Sequence, residues 1–261
     1  MPYADMQGKR IWFEDSGGDG PAVVLGHGFL MDQTMFDPQV AALAPELRLI
    51  RWDARAHGRT EWDGRPFTYW DSAADLIALL DHLGLERAIV GGMSQGGFTA
   101  MRAALSHPER VKGLVLIDSQ AGVDDDATRA RYRILRDTWL AQGALDAIVQ
   151  VVAGLILGAP ESWEPWVSRW RDTPRDRIGE AANCLIERDD ITPRAGEIRC
   201  PAIVFHGTAD TAIPMARAEA LASLLPGCEA LVRVEGAAHA SNLTHPDGVN
   251  PALREFARRH G

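Results

Sequence analysis

Cysteine is scarce in this chain: 261 residues include only Cys184, Cys200 and Cys228. The three are odd in number, scattered and without C-x-x-C spacing, which excludes a disulfide framework and any zinc site of recognisable pattern. No metal or other cofactor is expected, and a reducing cytoplasm fits the free thiols. Basic charge is also short, with 27 Lys and Arg against 36 Asp and Glu and a formal net charge of −9. Such a surface offers no footprint for a phosphate backbone or an anionic bilayer, so nucleic acid and membrane are not expected as partners. Long hydrophobic runs are missing too. The longest, Ala147 to Leu157, is interrupted by Gln150 and Gly154 and falls short of the ~20 residues a membrane helix needs. The opening MPYADMQGKR has no basic stretch leading into an apolar one, so no secretory leader is expected there. No repeat and no low-complexity segment is present, which excludes solenoids and disordered modules.

What is present is a hydrophobic fraction of 46% and a charged fraction of 24%, the make-up of a globular chain with a full core. Short aliphatic runs recur, each bounded by Gly, Asp or Pro and followed by helical periodicity, a rhythm that predicts a parallel sheet covered by helices. Strands are expected near 11–14, 22–25, 47–52, 88–90, 113–117, 202–205 and 230–234. Helices are expected over 71–83, with Asp71 as N-cap and Gly84 past the end, and over 95–105, 215–225 and 249–259. From Val123 to Glu187 the rhythm breaks into helical patterns with no convincing strand. Four of the 8 Trp fall there, Trp139, Trp163, Trp166 and Trp170. The expected division is a core of residues 1–122 and 191–261 with a helical cap, or lid, of residues 123–190 inserted between two strands.

The most informative segment is Ala88-Ile-Val-Gly-Gly-Met-Ser-Gln-Gly-Gly-Phe98. A strand enters G-x-S-x-G at Gly92, Ser94 and Gly96, and a small-residue helix leaves it. Glycines flank a serine in this way where the backbone crowds and a Cβ would clash. The turn lifts Oγ above the sheet at a helix N-terminus, where the Gln95 amide can donate to a developing oxyanion. An ordinary Gly-rich strand-to-helix turn is the plain alternative. A serine nucleophile needs a base, and the base needs an orienting carboxylate. His27, His57, His206 and His239 all follow strands. His239 comes after the last strand on a flexible Gly-Ala-Ala turn, and Asp210 follows the strand before it, giving the chain order Ser94, Asp210, His239. Asp118 is the competing acid. His27 is expected as a hydrogen-bonded scaffold residue, and Asp53 with Arg55 as a buried pair that fixes a loop.

On these residues the chain resembles the α/β-hydrolases along essentially its whole length, and within them the enol-lactonase and small carboxylesterase branch. Segments 35–43, 53–58, 79–84, 91–97, 198–201 and 237–242 carry the likeness. Two departures from the enol-lactonases stand out: the loop His27-Gly28-Phe29, which is that of general esterases and perhydrolases, and the Trp-rich cap, which suits an aromatic or apolar ligand. The resemblance implies the α/β-hydrolase fold, a mostly parallel twisted sheet with helices on both faces and a helical cap. It also implies an oxyanion hole from the backbone N–H groups of Phe29 and Gln95. The activity implied is a serine esterase, a carboxylesterase or lactonase working through an acyl-enzyme with the catalytic triad Ser94, Asp210 and His239. Serine at the elbow excludes dehalogenase and epoxide hydrolase chemistry, which needs Asp there. Carbon–carbon bond hydrolases and cofactor-free perhydrolases share the triad and stay open, as does a slow-turnover binding or receptor protein on the same scaffold. Trp139, Trp163 and Trp166 are expected to bind substrate, although Trp163, Trp166 and Trp170 are spaced as a helical packing stripe that Pro165 interrupts. The expected partner is a small ester or lactone, and a homodimer is compatible with the sequence.

Overall fold

A computed structural model describes residues 3–6 and 9–261. Its strands are β1 (Tyr3–Met6), β2 (Lys9–Asp15), β3 (Ala22–Gly26), β4 (Arg48–Trp52), β5 (Ala88–Met93), β6 (Val111–Ile117), β7 (Ala202–Gly207) and β8 (Cys228–Val234). They form one sheet in the order β1-β2-β4-β3-β5-β6-β7-β8. The first two pairings, β1 with β2 and β2 with β4, are antiparallel, and every later one is parallel. The helices are α1 (Asp37–Leu43), α2 (Tyr69–His82), α3 (Gln95–Ser106), α4 (Asp126–Gln142), α5 (Asp146–Leu157), α6 (Trp166–Asp172), α7 (Arg177–Ile186), α8 (Met215–Leu224), α9 (Ser241–Thr244) and α10 (Pro246–His260).

The central strands read apolar throughout because helices cover the sheet. α3 packs on β3, β5 and β6, α8 on β7 and β8, and α10 on β6, β7 and β8. Val24, Leu25, Ile89, Val90, Leu116, Ile117, Val204 and Phe205 are fully buried, each contributing roughly 1.5–3 kcal/mol of burial. The parallel strands all point one way, so the loops after β3, β5, β6, β7 and β8 gather at one edge. That edge is where open α/β sheets build their sites.

Several sequence expectations shift at element ends. β1, α1 and α9 are four to seven residues long, too short to declare themselves by periodicity. α2 is capped by Thr68, not Asp71. The Thr68 hydroxyl accepts from Asp71 N–H, and the Asp71 carboxylate accepts from Thr68 N–H at 2.8 Å, so Asp71 is the third-residue half of a capping box. Gly84 does follow the helix, at a φ of 66°. The last helix begins at Pro246, whose missing N–H costs nothing in a first turn, and it continues through Pro251.

Between β6 and β7 stand four α-helices, α4 to α7, and no strand among the described residues. α4 packs on α7 and α5 on α6. The Trp stripe does not form as spaced: α6 starts at Trp166 with Pro165 as its cap, leaving Trp163 behind at the end of a short 3-10 turn. No helix among the described residues is long and apolar enough to cross a membrane.

Candidate active site

The turn after β5 is as tight as its glycines suggest. A Cβ on Gly92 or Gly96 would overlap the carbonyl of Gly26, and one on Gly97 would overlap the Ser119 side chain. Ser94 between them has φ 50° and ψ −110°, a region that costs a non-glycine residue on the order of 1–3 kcal/mol. The neighbours hold it there. Ser94 N–H donates to Ile117 O at 2.8 Å, and Ser119 Oγ–H donates to Ser94 O at 3.0 Å. Ser94 thus stands at the head of α3, where the first-turn N–H groups, Gln95 included, have no partner within the helix.

The loop after β3 lies against this turn, since Gly26 touches both Gly92 and Gly96. His27 is buried there as scaffold. Its Nε2 accepts from Ala54 N–H at 2.9 Å, which leaves Nδ1–H to donate to Gly28 O at 2.7 Å. Phe29 follows, edge-on to His57, and Leu30 sits at a φ of 63°. The indole of Trp170 donates to Leu30 O at 2.6 Å. A residue from the inserted helices therefore ties down this loop, a role that sequence spacing does not reveal. Asp53 and Arg55 do not pair. Asp53 accepts from Gln33 N–H and Arg59 N–H, each at 2.8 Å, while Arg55 reaches Asp75 on α2 at 2.8 Å. Backbone donors close at hand satisfy the buried Asp53 better than a guanidinium drawn off by its own helix partner.

On the other side of Ser94, His239 Nδ1–H donates to Asp210 Oδ2 at 2.7 Å. Asp210 Oδ1 accepts from Ala212 N–H at 2.8 Å and Ile213 N–H at 2.9 Å. With Nδ1 committed to the carboxylate, His239 presents Nε2 as its free acceptor. Burial alone would push the His239 pKa down and the Asp210 pKa up. Their mutual attraction and hydrogen bond reverse both, leaving His239 above and Asp210 below its ordinary value. Asp118, the competing acid, donates its geometry elsewhere: Oδ1 accepts from Gly207 N–H at 2.8 Å and Oδ2 from Ser241 N–H at 2.9 Å.

Side-chain donor atoms of Asp118, His206 and Asp210 lie within 4.8 Å of one another, the one group among the described residues with ligand-like spacing. The carboxylates are already engaged, and of the imidazole only Nδ1 is without a partner among the described residues. Both carboxylates accept the N–H groups named above, and His206 Nε2–H donates to Ile213 O at 2.8 Å. A cation would have to displace these bonds, so the donor set fits a hydrogen-bonded network better than a metal centre.

Ser94 and His239 line one cavity of about 80 Å³ with Phe29, Leu30, Phe98 and apolar side chains of α4, α5 and α7. Arg188 is a buried cation in its wall. Arg188 Nη1–H donates to Asp124 Oδ2 at 2.8 Å, and the guanidinium lies 4.7 Å from the centre of the Phe98 ring. Its only sequence signal is the charged run Glu187-Arg-Asp-Asp190. A second cavity of about 260 Å³ shares Phe29 and Leu30 with the first and is lined by Trp139, Trp166 and Trp170. Trp139 and Trp166 therefore stand beside the Ser94 cavity and not in it. Trp163 lines neither, its indole donating to Gly158 O at 3.0 Å; the residue left outside α6 packs against its own turn.

A family model for the alpha/beta hydrolase fold matches residues 21–246. The chain belongs to that family. Among its α/β-hydrolase relatives, 3-oxoadipate enol-lactonase 2 of Acinetobacter baylyi is 27% identical over 92% of this chain and 90% of its own length. A thermophilic esterase from Thermogutta terrifontis superposes with a TM-score of 0.89 at 28% identity, covering 100% of this chain and 98% of its own. The enol-lactonase of Burkholderia xenovorans gives 0.85 at 30% identity, covering 98% and 99%. These relatives support hydrolase activity for this α/β-hydrolase.

Proposed function

We propose that the chain is a serine hydrolase that cleaves a carboxylic ester or lactone through an acyl-enzyme. The observation that carries this reading is one cavity lined both by a strained Ser94 and by a His239 held through Nδ1 by Asp210. His239 Nε2 takes the proton from Ser94 Oγ as the oxygen attacks the carbonyl carbon. The backbone N–H groups of Phe29 and Gln95 receive the oxyanion, each contributing on the order of 3 kcal/mol. Collapse of the tetrahedral intermediate breaks the bond to the leaving oxygen, which takes the proton from His239. Water then repeats the sequence on the acyl-Ser94 ester and releases the acid. Asp210 holds the tautomer and balances the transient imidazolium.

The two cavities bear on substrate size. The leaving oxygen must meet His239, and His239 lines the smaller cavity of about 80 Å³ and not the larger one. The acyl body then extends past Phe29 toward the Trp-lined cavity, whose volume suits a single ring. This favours esters of short alcohols with a ring-bearing acyl group; the esterase and enol-lactonase relatives support only the reaction class, ester or lactone cleavage.

A serine-directed phosphonate tests the reading. Stoichiometric labelling of Ser94 in the folded protein, abolished by heating, is the expected result. Failure of the folded protein to label would overturn it and favour a binding protein on the same scaffold.

A further inference from the structure

Asp118 closes β6 as a fully buried carboxylate at a φ of 48°, a left-handed conformation that Asp tolerates better than most residues. That turn aims its two oxygens at two different loops. Oδ1 accepts from Gly207 N–H, three residues before Asp210, and Oδ2 accepts from Ser241 N–H, two residues after His239. Its own N–H donates to Phe205 O at 2.9 Å. His206 fills the space between the carboxylates, with Nδ1 3.8 Å from Asp118 and Nε2 3.4 Å from Asp210. His206 Nδ1 has no hydrogen-bond partner among the described residues, and burial keeps this imidazole less basic than usual. The acid and base loops are therefore not fastened to each other alone, since both are also fastened to the end of β6.

We infer that Asp118 is a positioning residue for the Asp210–His239 pair: its two oxygens clamp the two loops that carry them, and when ionised it adds a second carboxylate charge near the imidazole. It extends the proposed function, because it presupposes that His239 is the base. The clamp needs two acceptor oxygens. Asparagine offers one, so its amide nitrogen would face a backbone N–H and leave a buried donor unsatisfied. Burial pushes the Asp118 carboxyl up to about 7, so its charge joins that of Asp210 in facing the imidazolium as pH rises through that value. Other titratable groups bear on the same ring. Asp124 is held by Arg188, Tyr132 shares the cavity wall, and His206 is held to Ile213 O. Of the carboxylates that raise the His239 pKa, Asp118 ranks next after Asp210.

The test compares Asp118→Asn and Asp118→Glu with the unsubstituted protein, reading the pH dependence of phosphonate labelling at Ser94 and the kcat and KM of an ester it hydrolyses. Asp118→Asn should lower kcat about 10- to 100-fold with little change in KM, and should move the acid limb of the labelling profile to lower pH, because an imidazole that has lost a neighbouring charge gives up its proton more readily. Asp118→Glu keeps the charge on a longer arm; the limb should stay in place while kcat falls. The midpoint of a labelling profile normalised to its plateau does not scale with the folded fraction, so a poorly folding variant still reports. An unmoved limb in Asp118→Asn, or a loss of activity that only tracks folded fraction, would overturn the inference. If the unsubstituted protein does not label, the proposed function fails instead.

Discussion

At the ends of β3, β5, β6 and β7 each site residue is held from several directions, whereas the helices between β6 and β7 are held along one face. Ser94 is fixed by two hydrogen bonds and by glycines that leave no room for a Cβ. Asp210 accepts three hydrogen bonds. In the inserted helices the reverse holds. All five exposed large hydrophobic side chains among the described residues, Ile134, Leu140, Leu145, Val151 and Leu155, lie in α4, α5 or their connection. Chemistry needs atoms placed to within a fraction of an ångström, and a buried, over-determined edge supplies that. A wall that selects by shape needs no such placement, and the exposed side chains of α4 and α5 leave room to vary it.

Substitutions can break this contrast at decreasing strength. Ser94→Ala should abolish turnover, with a loss of about a millionfold in kcat when nucleophile and base act as a unit. Asp210→Asn should cost about 10⁴-fold by releasing the His239 tautomer, while folded Asp118→Asn retains measurable turnover; equal losses in the two would mean that the acid has been misassigned. Gly96→Ala forces a methyl group against Gly26 O, so a drop of roughly 1–3 kcal/mol in unfolding free energy is expected, with slower phosphonate labelling. In the cap, Trp166→Phe should alter KM for a ring-bearing acyl ester by up to about 10-fold with kcat nearly constant. An unchanged KM across an ester panel would remove the larger cavity from substrate binding. Ile134→Ser, at a side chain 67% exposed, should change stability by no more than about 0.5 kcal/mol in a denaturant titration.

Titration sharpens the core side of the comparison. The base must start neutral, and the Asp210 attraction outweighs burial to hold the His239 pKa above 6.5. Activity should therefore be complete above that raised value and fall as pH drops through it, with half-maximal kcat/KM above pH 6.5. A profile that stays flat down to about pH 5 would remove His239 as the base.

Legibility in the sequence followed the same division. That Ser94, Asp210 and His239 gather at one edge of the sheet could be read because each follows an apolar strand, and the glycines around Ser94 record contacts that forbid a side chain. The Thr68 cap was hidden by Asp71, three residues on, because both ends of a capping box are good capping residues. Asp53 and Arg55 do not pair because closeness in sequence does not set partners in space: Asp53 meets two backbone N–H groups and Arg55 meets Asp75. The interruption that Pro165 signals among Trp163, Trp166 and Trp170 is real: spacing describes a helix only where the helix continues, and Pro165 starts it afresh.

The sequence by itself determined the sheet's rhythm, the insertion between β6 and β7, the strained serine turn and the chain order of the site residues. All of these rest on local chemistry, namely burial periodicity, glycine sterics and turn formation. Only the tertiary structure decided that Trp170 anchors the loop of Phe29, that Arg188 sits in the wall of the Ser94 cavity, and that Asp118 binds the loops of Asp210 and His239 instead of either side chain. Those facts depend on which distant segments meet at one edge of the sheet, and no local pattern encodes where a carboxylate will find its hydrogen-bond donors.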